Sequence, residues 1–221
     1  MSAPVAVIAG SGGVLGRALR QEFSSSHEII GLRRGASDEA SGREIHCDLG
    51  DPLAVAAALK HCEQSVELLI YNAARLVRGS FLELRPDDFE AAWRVSLLGA
   101  VACAQAVLPG MLARSRGVIL ISGASGSTRG SAGFSAFAAA KFALRGLAQS
   151  LARELQPQGV HVVHVVLDGL LAGSESVRLF GGSPDRTLDP REVAKAYRWL
   201  AEQPRTSWTQ EIDLRHCEGK F

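Results

Sequence analysis

Tyrosine is nearly missing from this chain. Among its 221 residues there are two, Tyr71 and Tyr197, and aromatic residues of all kinds make up 6%. Cysteine is also scarce: Cys47, Cys62, Cys103 and Cys217 are scattered, with no C-x-x-C pair. That excludes a disulfide framework and a cysteine zinc site, and predicts free thiols in a reducing cytosol. The six histidines show no metal-ligand spacing. His161 and His164 are three apart in a strand-like run, so they point to opposite faces. Charge of one sign is missing too. The net charge of +1 gives no general attraction to nucleic acid or to an anionic membrane. No apolar run approaches the ~18–20 residues of a membrane span. The start of the chain has no basic segment ahead of its short apolar run, so no signal peptide is expected and the cytoplasm is the expected location.

What is present is an ordinary globular composition, 47% apolar and 21% charged. The length suits one domain over residues 1–221. Short apolar runs alternate with amphipathic stretches. Strands are predicted at 4–9, 27–32, 43–47, 66–71, 117–121, 160–167 and 208–214. Helices are predicted after Gly16, after the Asp51-Pro52 cap, from Pro86 to about Leu112, from Ser135 to about Glu154, and after the Asp189-Pro190 cap. Pro109 is expected to kink or shorten the long helix. A polar loop is predicted from Ala172 to Leu188. This alternation predicts an α/β fold, a single doubly wound parallel sheet of about seven strands with helices on both faces. Its ligand should lie across the carboxyl ends of the strands.

The first strand runs into Gly10-Ser11-Gly12-Gly13-Val14-Leu15-Gly16 and then a helix. Strand, glycine-rich turn and helix is the context in which backbone N–H groups and a helix N-terminus cradle a pyrophosphate. The second strand ends in Arg33-Arg34, with Asp38 and Glu39 only later. Arginine there accommodates a 2′-phosphate, which favours NADP (NADPH) over NAD. In the helix of Ser135, Phe137 and Lys141 stand four apart, on one face and ~6 Å from each other.

These residues resemble the short-chain dehydrogenase/reductase family over nearly the whole chain. Gly10, Gly13 and Gly16 give G-x-x-G-x-x-G, a spacing similar to its extended or atypical branches. Asp48-Leu49 resembles the aspartate step that contacts adenine, and Asn72-Ala73-Ala74 the N-A-G after the fourth strand. Lys141 matches the lysine of Y-x-x-x-K, and the run from Lys141 through Leu155 to Gly159-Val160 follows the family closely. The resemblance implies a Rossmann fold. It also implies cofactor contacts from Gly10, Ser11, Gly12, Gly13, Leu15, Gly16, Arg33, Arg34, Asp48, Leu49, Asn72, Ala73, Ala74, Lys141, Asp168 and Gly169. No metal is implied.

Departures from the family fall where its chemistry would be. Phe137 stands at the tyrosine position and has no proton to give. Ser96 stands where the long helix usually carries asparagine. The serine position holds Gly123, with Ser122 or Ser125 as substitutes. Asp168-Gly169 replaces P-G, and Ser174 is the nearest match to the threonine that contacts the nicotinamide amide. A bacterial branch of the family is similar in its F-x-x-x-K helix, its D-G and its ending, and is generally labelled oxidoreductase; that label is an association. Candidate catalytic residues are thus Lys141, Ser122 and Asp168, the last as a proton donor if burial raises its pKa. Three readings remain. One is an NADP(H) oxidoreductase acting on a small carbonyl, quinone or enone without a tyrosine acid. The second is a catalytically inactive NADP(H)-binding sensor or partner-binding module. The third is a cofactor-free scaffold. The two long helices carry more apolar residues than one sheet-facing stripe needs, and the resemblance implies a homodimer or homotetramer.

Overall fold

The computed structural model describes residues 3–35, 43–62, 64–181, 183 and 186–218. Seven strands form one parallel sheet: β1 (Val5–Ala9), β2 (Glu28–Arg33), β3 (Arg43–His46), β4 (Val66–Tyr71), β5 (Gly117–Ser122), β6 (Val160–Asp168) and β7 (Glu211–Arg215). Their order is β3-β2-β1-β4-β5-β6-β7. The order reverses between β1 and β4, the switch point where this architecture opens a crevice.

Near-continuous runs of Val, Ile and Leu make the central strands, which are covered on both faces, while the edge strands β3 and β7 carry charged residues and are only partly buried. All five residues of β1 are buried. Alternation then divides the core. Val7, Ile30, Leu69, Ile119 and Val162 pack with α2 (Pro52–Leu59), α4 (Gly99–Ala113) and α5 (Ser135–Leu155). Ile8, Ile70, Leu120 and Val163 pack on the other face with α1 (Val14–Phe23) and α7 (Pro190–Ala201). Each such side chain, fully buried, contributes ~1.5–3 kcal/mol. His161 and His164 obey the same alternation: His161 stacks on Trp208 at 4.7 Å, while His164 belongs to the α5 face.

The two predicted caps form. Asp51 accepts from Leu53 N at 2.9 Å and Asp189 from Arg191 N at 2.8 Å, each followed by proline at the first helical position. Other details differ from expectation. The long helix reaches its expected end, at Ala113, but Pro109 does not shorten it. It runs from α3 (Pro86–Trp93) through a π-turn (Arg94–Leu98) to the end of α4. Pro109 and Gln105, whose carbonyl loses its donor, are both exposed, so water can satisfy that oxygen. Pro86–Ala113 is long and apolar enough to cross a membrane by length and composition, but much of it is buried in packing against the sheet. The predicted polar loop carries a short helix, α6 (Glu175–Phe180), whose Phe180 lies 5.6 Å from Phe134. The last strand starts three residues later than expected, at Glu211.

Candidate functional site

The turn after β1 is built by close backbone approach. Gly10 has φ +89°, and a Cβ there would be 2.9 Å from Ala73 N. A Cβ on Gly16 would lie 2.6 Å from the Ser11 carbonyl carbon. Only glycine lets α1 start this close to the turn that precedes it. Space around Gly13, by contrast, is open.

A cleft of about 350 Å³ opens there. Gly10, Gly12, Gly13, Arg33, Arg34, Asp48, Leu49, Asn72, Ala73 and Ala74 line it, which brings together most of the predicted cofactor residues. Cys47, Gly35 and Val95 complete it without having been picked out from the sequence. Val95 is there because the π-turn bulges, and its carbonyl accepts from the Tyr71 hydroxyl. Ser11, Leu15 and Gly16 do not face the cleft. Leu15 is in the core, and Ser11 donates to Glu44 Oε1 at 2.9 Å.

Glu44, on β3, is the polar centre beneath the turn. Arg20 reaches its Oε1 at 2.8 Å and Arg33 its Oε2 at 3.1 Å. Burial by itself would raise its pKa, but the Ser11 hydroxyl and the two arginines outweigh that and hold it below the usual carboxylate value. Two arginines, 20 and 33, therefore hold one carboxylate, and Arg34 lines the cleft beside them. Arg33 Nε is buried beside Gly12 and has no hydrogen-bond partner. An orphan guanidinium N–H at an open glycine turn fits a phosphate oxygen. Asp38 and Glu39 lie outside the described residues.

A second cavity, about 450 Å³, opens at the same carboxyl end of the sheet. Leu76, Phe134, Phe137, Phe180, Leu167 and Leu170 make it apolar, and Ser125, Gly126 and Gly169 also line it. Arg78 lies over the Phe134 and Phe180 rings at 5.9 and 5.4 Å. Of the two serines considered for catalysis, it is Ser125 that faces this cavity. Ser122 ends β5 with its hydroxyl on the opposite face, 2.7 Å from Tyr197 OH of α7. That geometry removes Ser122 from the neighbourhood of Phe137, because successive strand side chains alternate. Asp168 is not poised as a free acid. Arg129 holds both its oxygens at 2.8 and 3.0 Å, and Arg215 approaches at 3.5 Å.

Lys141 is buried, 3% exposed, and donates to Ser122 O at 2.8 Å. Its ammonium lies 5.9 Å from the Phe137 ring centroid. Burial pulls its pKa down to about 8. Ser96 is fully buried within the π-turn, and its Oγ is unpartnered. Ser174 precedes α6, outside both sets of lining residues. Among the described residues no cluster of side chains could hold a metal ion.

Fold and cleft together define a Rossmann-type nucleotide-binding protein. Residues 4–174 match the family model for short chain dehydrogenase. The chain belongs to the short-chain dehydrogenase family, a family of oxidoreductases that bind a nicotinamide cofactor. It is 34% identical over 135 residues to oxidoreductase UcpA of Escherichia coli, covering 57% of this chain and 51% of UcpA. The chain thus spans about half the length of that relative. A short-chain dehydrogenase structure from Rhodopseudomonas palustris matches with a TM-score of 0.79 at 30% identity, covering 95% of this chain and 98% of that one. A metagenomic short-chain oxidoreductase in complex with NADP matches with a TM-score of 0.81 at 24% identity, covering 98% of both chains.

Proposed function

We propose that this chain is an NADP(H)-dependent oxidoreductase whose substrate is a small carbonyl, quinone or enone. The observation that carries the reading is the glycine-lined cleft with Arg33 and Arg34 in its wall and the orphan Arg33 Nε at its edge. NADP in the metagenomic neighbour supports it. Bound NADP(H) supplies or accepts a hydride. Arg33 and Arg34 hold the 2′-phosphate, the Gly10–Gly16 turn takes the pyrophosphate, Asp48 and Leu49 sit at the adenine, and Asn72 to Ala74 form the cleft floor. Lys141 secures the sugar near the Phe137 cavity, with Asp168 and Gly169 at its rim. Phe137 offers a flat apolar face and no proton. An electron-poor acceptor that draws its proton elsewhere suits that face better than a simple ketone.

One set of observations favours the second reading, a sensor that binds NADP(H) without turning it over. Phe137 has no proton to give, the Ser122 hydroxyl is paired with Tyr197 on the other face of the sheet, and both oxygens of Asp168 are held by Arg129. Titrating NADPH and NADH by nicotinamide fluorescence, then following NADPH oxidation with quinones, enones and carbonyls, separates the two. Saturable binding with turnover supports the enzyme. Binding with silence across the whole panel supports the sensor. No binding defeats both. We also propose self-association through α3–α4 and α5, where Trp93, Leu98 and Phe142 are exposed, in a cytoplasmic setting that keeps the four cysteines as the free thiols they are. Light scattering on the purified protein reads the mass.

A further inference from the structure

Two buried polar side chains, Ser127 and His164, flank Gly123 just past the end of β5, and a third, Lys141, reaches the backbone of the preceding residue. Lys141 uses one of its three protons on Ser122 O. Ser127 Oγ accepts from Ala124 N at 3.1 Å, which is its one hydrogen bond among the described residues. His164 comes from within β6. Its Nδ1 lies 2.9 Å from Glu211 Oε2 of β7, and Arg145 of α5 grips both oxygens of Glu211 at 2.7 and 2.6 Å. A carboxylate held this way accepts and does not donate, so Nδ1 carries the proton and Nε2 presents a lone pair. That Nε2 is buried and has no partner.

Gly123 explains what Nε2 faces. A Cβ there would collide with Nε2, lie 2.6 Å from His164 Cε1 and 3.0 Å from Ser127 Oγ. An unassigned hydroxyl proton and an unpaired ring nitrogen therefore converge on one side of one α-carbon. A buried acceptor left unmet costs ~1–3 kcal/mol. Ser127 closes the short turn Ser125–Ser127, whose first two residues line the Phe137 cavity.

We propose that His164 takes up and returns a proton for this site, acting through Ser127 and not by touching substrate, with Glu211 stabilising the charged ring. The idea rests on the oxidoreductase reading above. Its exchange balances. The two groups are not hydrogen-bonded at rest, so the turn of Ser125–Ser127 must shift to bring them into contact; Ser127 then passes its hydroxyl proton to Nε2 while taking one from a water entering on the cavity side of the turn. The ring gains one positive charge opposite the Glu211 carboxylate, and no electron moves. The reverse exchange delivers the proton that a reduced substrate oxygen needs and that Phe137 cannot give.

The charged groups facing His164 are Glu211 from β7 and Lys141 and Arg145 from α5. Burial lowers its pKa, Glu211 works against that, and the two cations add to the lowering, so the net shift is downward. The ring is thus neutral at pH 7 and charges on acidification. Reduction, which consumes the stored proton, should speed up as pH falls from 8 to 6.

Long-range proton–nitrogen NMR on the full chain tests the geometry without turnover, with His164 assigned by its loss in His164→Gln. The expected result is a ring protonated at Nδ1 with a bare Nε2, whose resonance moves in Ser127→Ala. A proton on Nε2, or a resonance indifferent to Ser127→Ala, overturns the proposal. If the wild type binds NADPH but reduces nothing, the oxidoreductase reading fails while the NMR result still decides this one. Where turnover exists, His164→Gln should flatten the acid-side rise and lower the rate at pH 6 about a hundredfold, the low end of an acid–base contribution, with NADPH affinity within about twofold. An unchanged pH profile overturns the proposal. So does an equal loss of affinity, stability and rate with the profile's shape intact, because that marks a purely structural role.

Discussion

Two regions of the molecule meet at the carboxyl end of the sheet, and they are built by different means. The β1–α1 side is made of main chain. Gly10 and Gly16 sit against backbone atoms of Ala73 and Ser11, and the space beside Gly13 is open. The β5–α5 side is made of long side chains reaching in from elsewhere. His164 fills the space beside Gly123, Tyr197 takes the Ser122 hydroxyl, and Arg129 takes Asp168. Backbone sites are rigid and tolerate little change. Side-chain sites can be rearranged by substitutions in another strand, which makes the second region the one where chemistry can diverge.

The comparison can be broken by substitution. Gly16→Val drives a branched side chain into backbone, and should cost ~4 kcal/mol or more, enough to leave little folded protein in a urea melt. Lys141→Met should act in the opposite direction. The Lys141 pKa falls from 10.5 to about 8 in the folded protein. Folding therefore releases a proton between those values, and stability rises with pH across that window. Below pH 8 the buried ammonium is carried at a cost of about 3 kcal/mol, which methionine removes. Thermal melts at pH 7 should show a more stable protein, and fluorescence titration a weaker hold on NADPH. A Lys141→Met protein that is less stable would mean that the ammonium is better solvated than its burial suggests.

Gly123→Ser should cost about 2 kcal/mol, less than Gly16→Val, because it meets the end of a side chain and not backbone. Adding His164→Ala should recover part of the loss, a coupling that a double-mutant cycle reads directly. If the pair is additive, the two positions do not share one space. Arg33→Ser should weaken NADPH about tenfold and leave NADH unchanged, in line with one charge-assisted contact of ~1.4 kcal/mol. The smallest effect expected is from Phe137→Tyr. With Ser122 turned away and Asp168 paired, a new phenol should raise carbonyl reduction by less than ~10-fold, below what a positioned general acid supplies. A larger gain would mean the second region is more nearly complete than its side chains suggest.

Much of the first region was legible in the sequence because its information is local. The strand, the glycine turn and the helix follow within twenty residues, and β4 falls on the predicted 66–71. The caps at Asp51 and Asp189 carry their own signal in the Asp-Pro pair. The second region was less legible because its partners are distant. Glu211 is 47 residues from His164 and 66 from Arg145, and no spacing rule joins them. Ser122 is a candidate by sequence because it neighbours Gly123, which occupies the family's serine position. Which face its hydroxyl takes depends on the register of β5, and one residue of register decides it. The π-turn leaves no composition signal, and α6 is too short for periodicity to reveal.

One consequence follows from the place of Glu211. It sits on the last strand of the sheet, pairing parallel to β6, and it braces both β6 and α5. During synthesis the glycine turn emerges well before β7 and can find β2 and β4 early. The His164 ring must wait for β7, so a long-range contact of high contact order closes the site. Translation would thus deliver a chain able to hold a nucleotide before its proton-handling side is assembled, and ligand bound at that stage would favour the folded form by mass action.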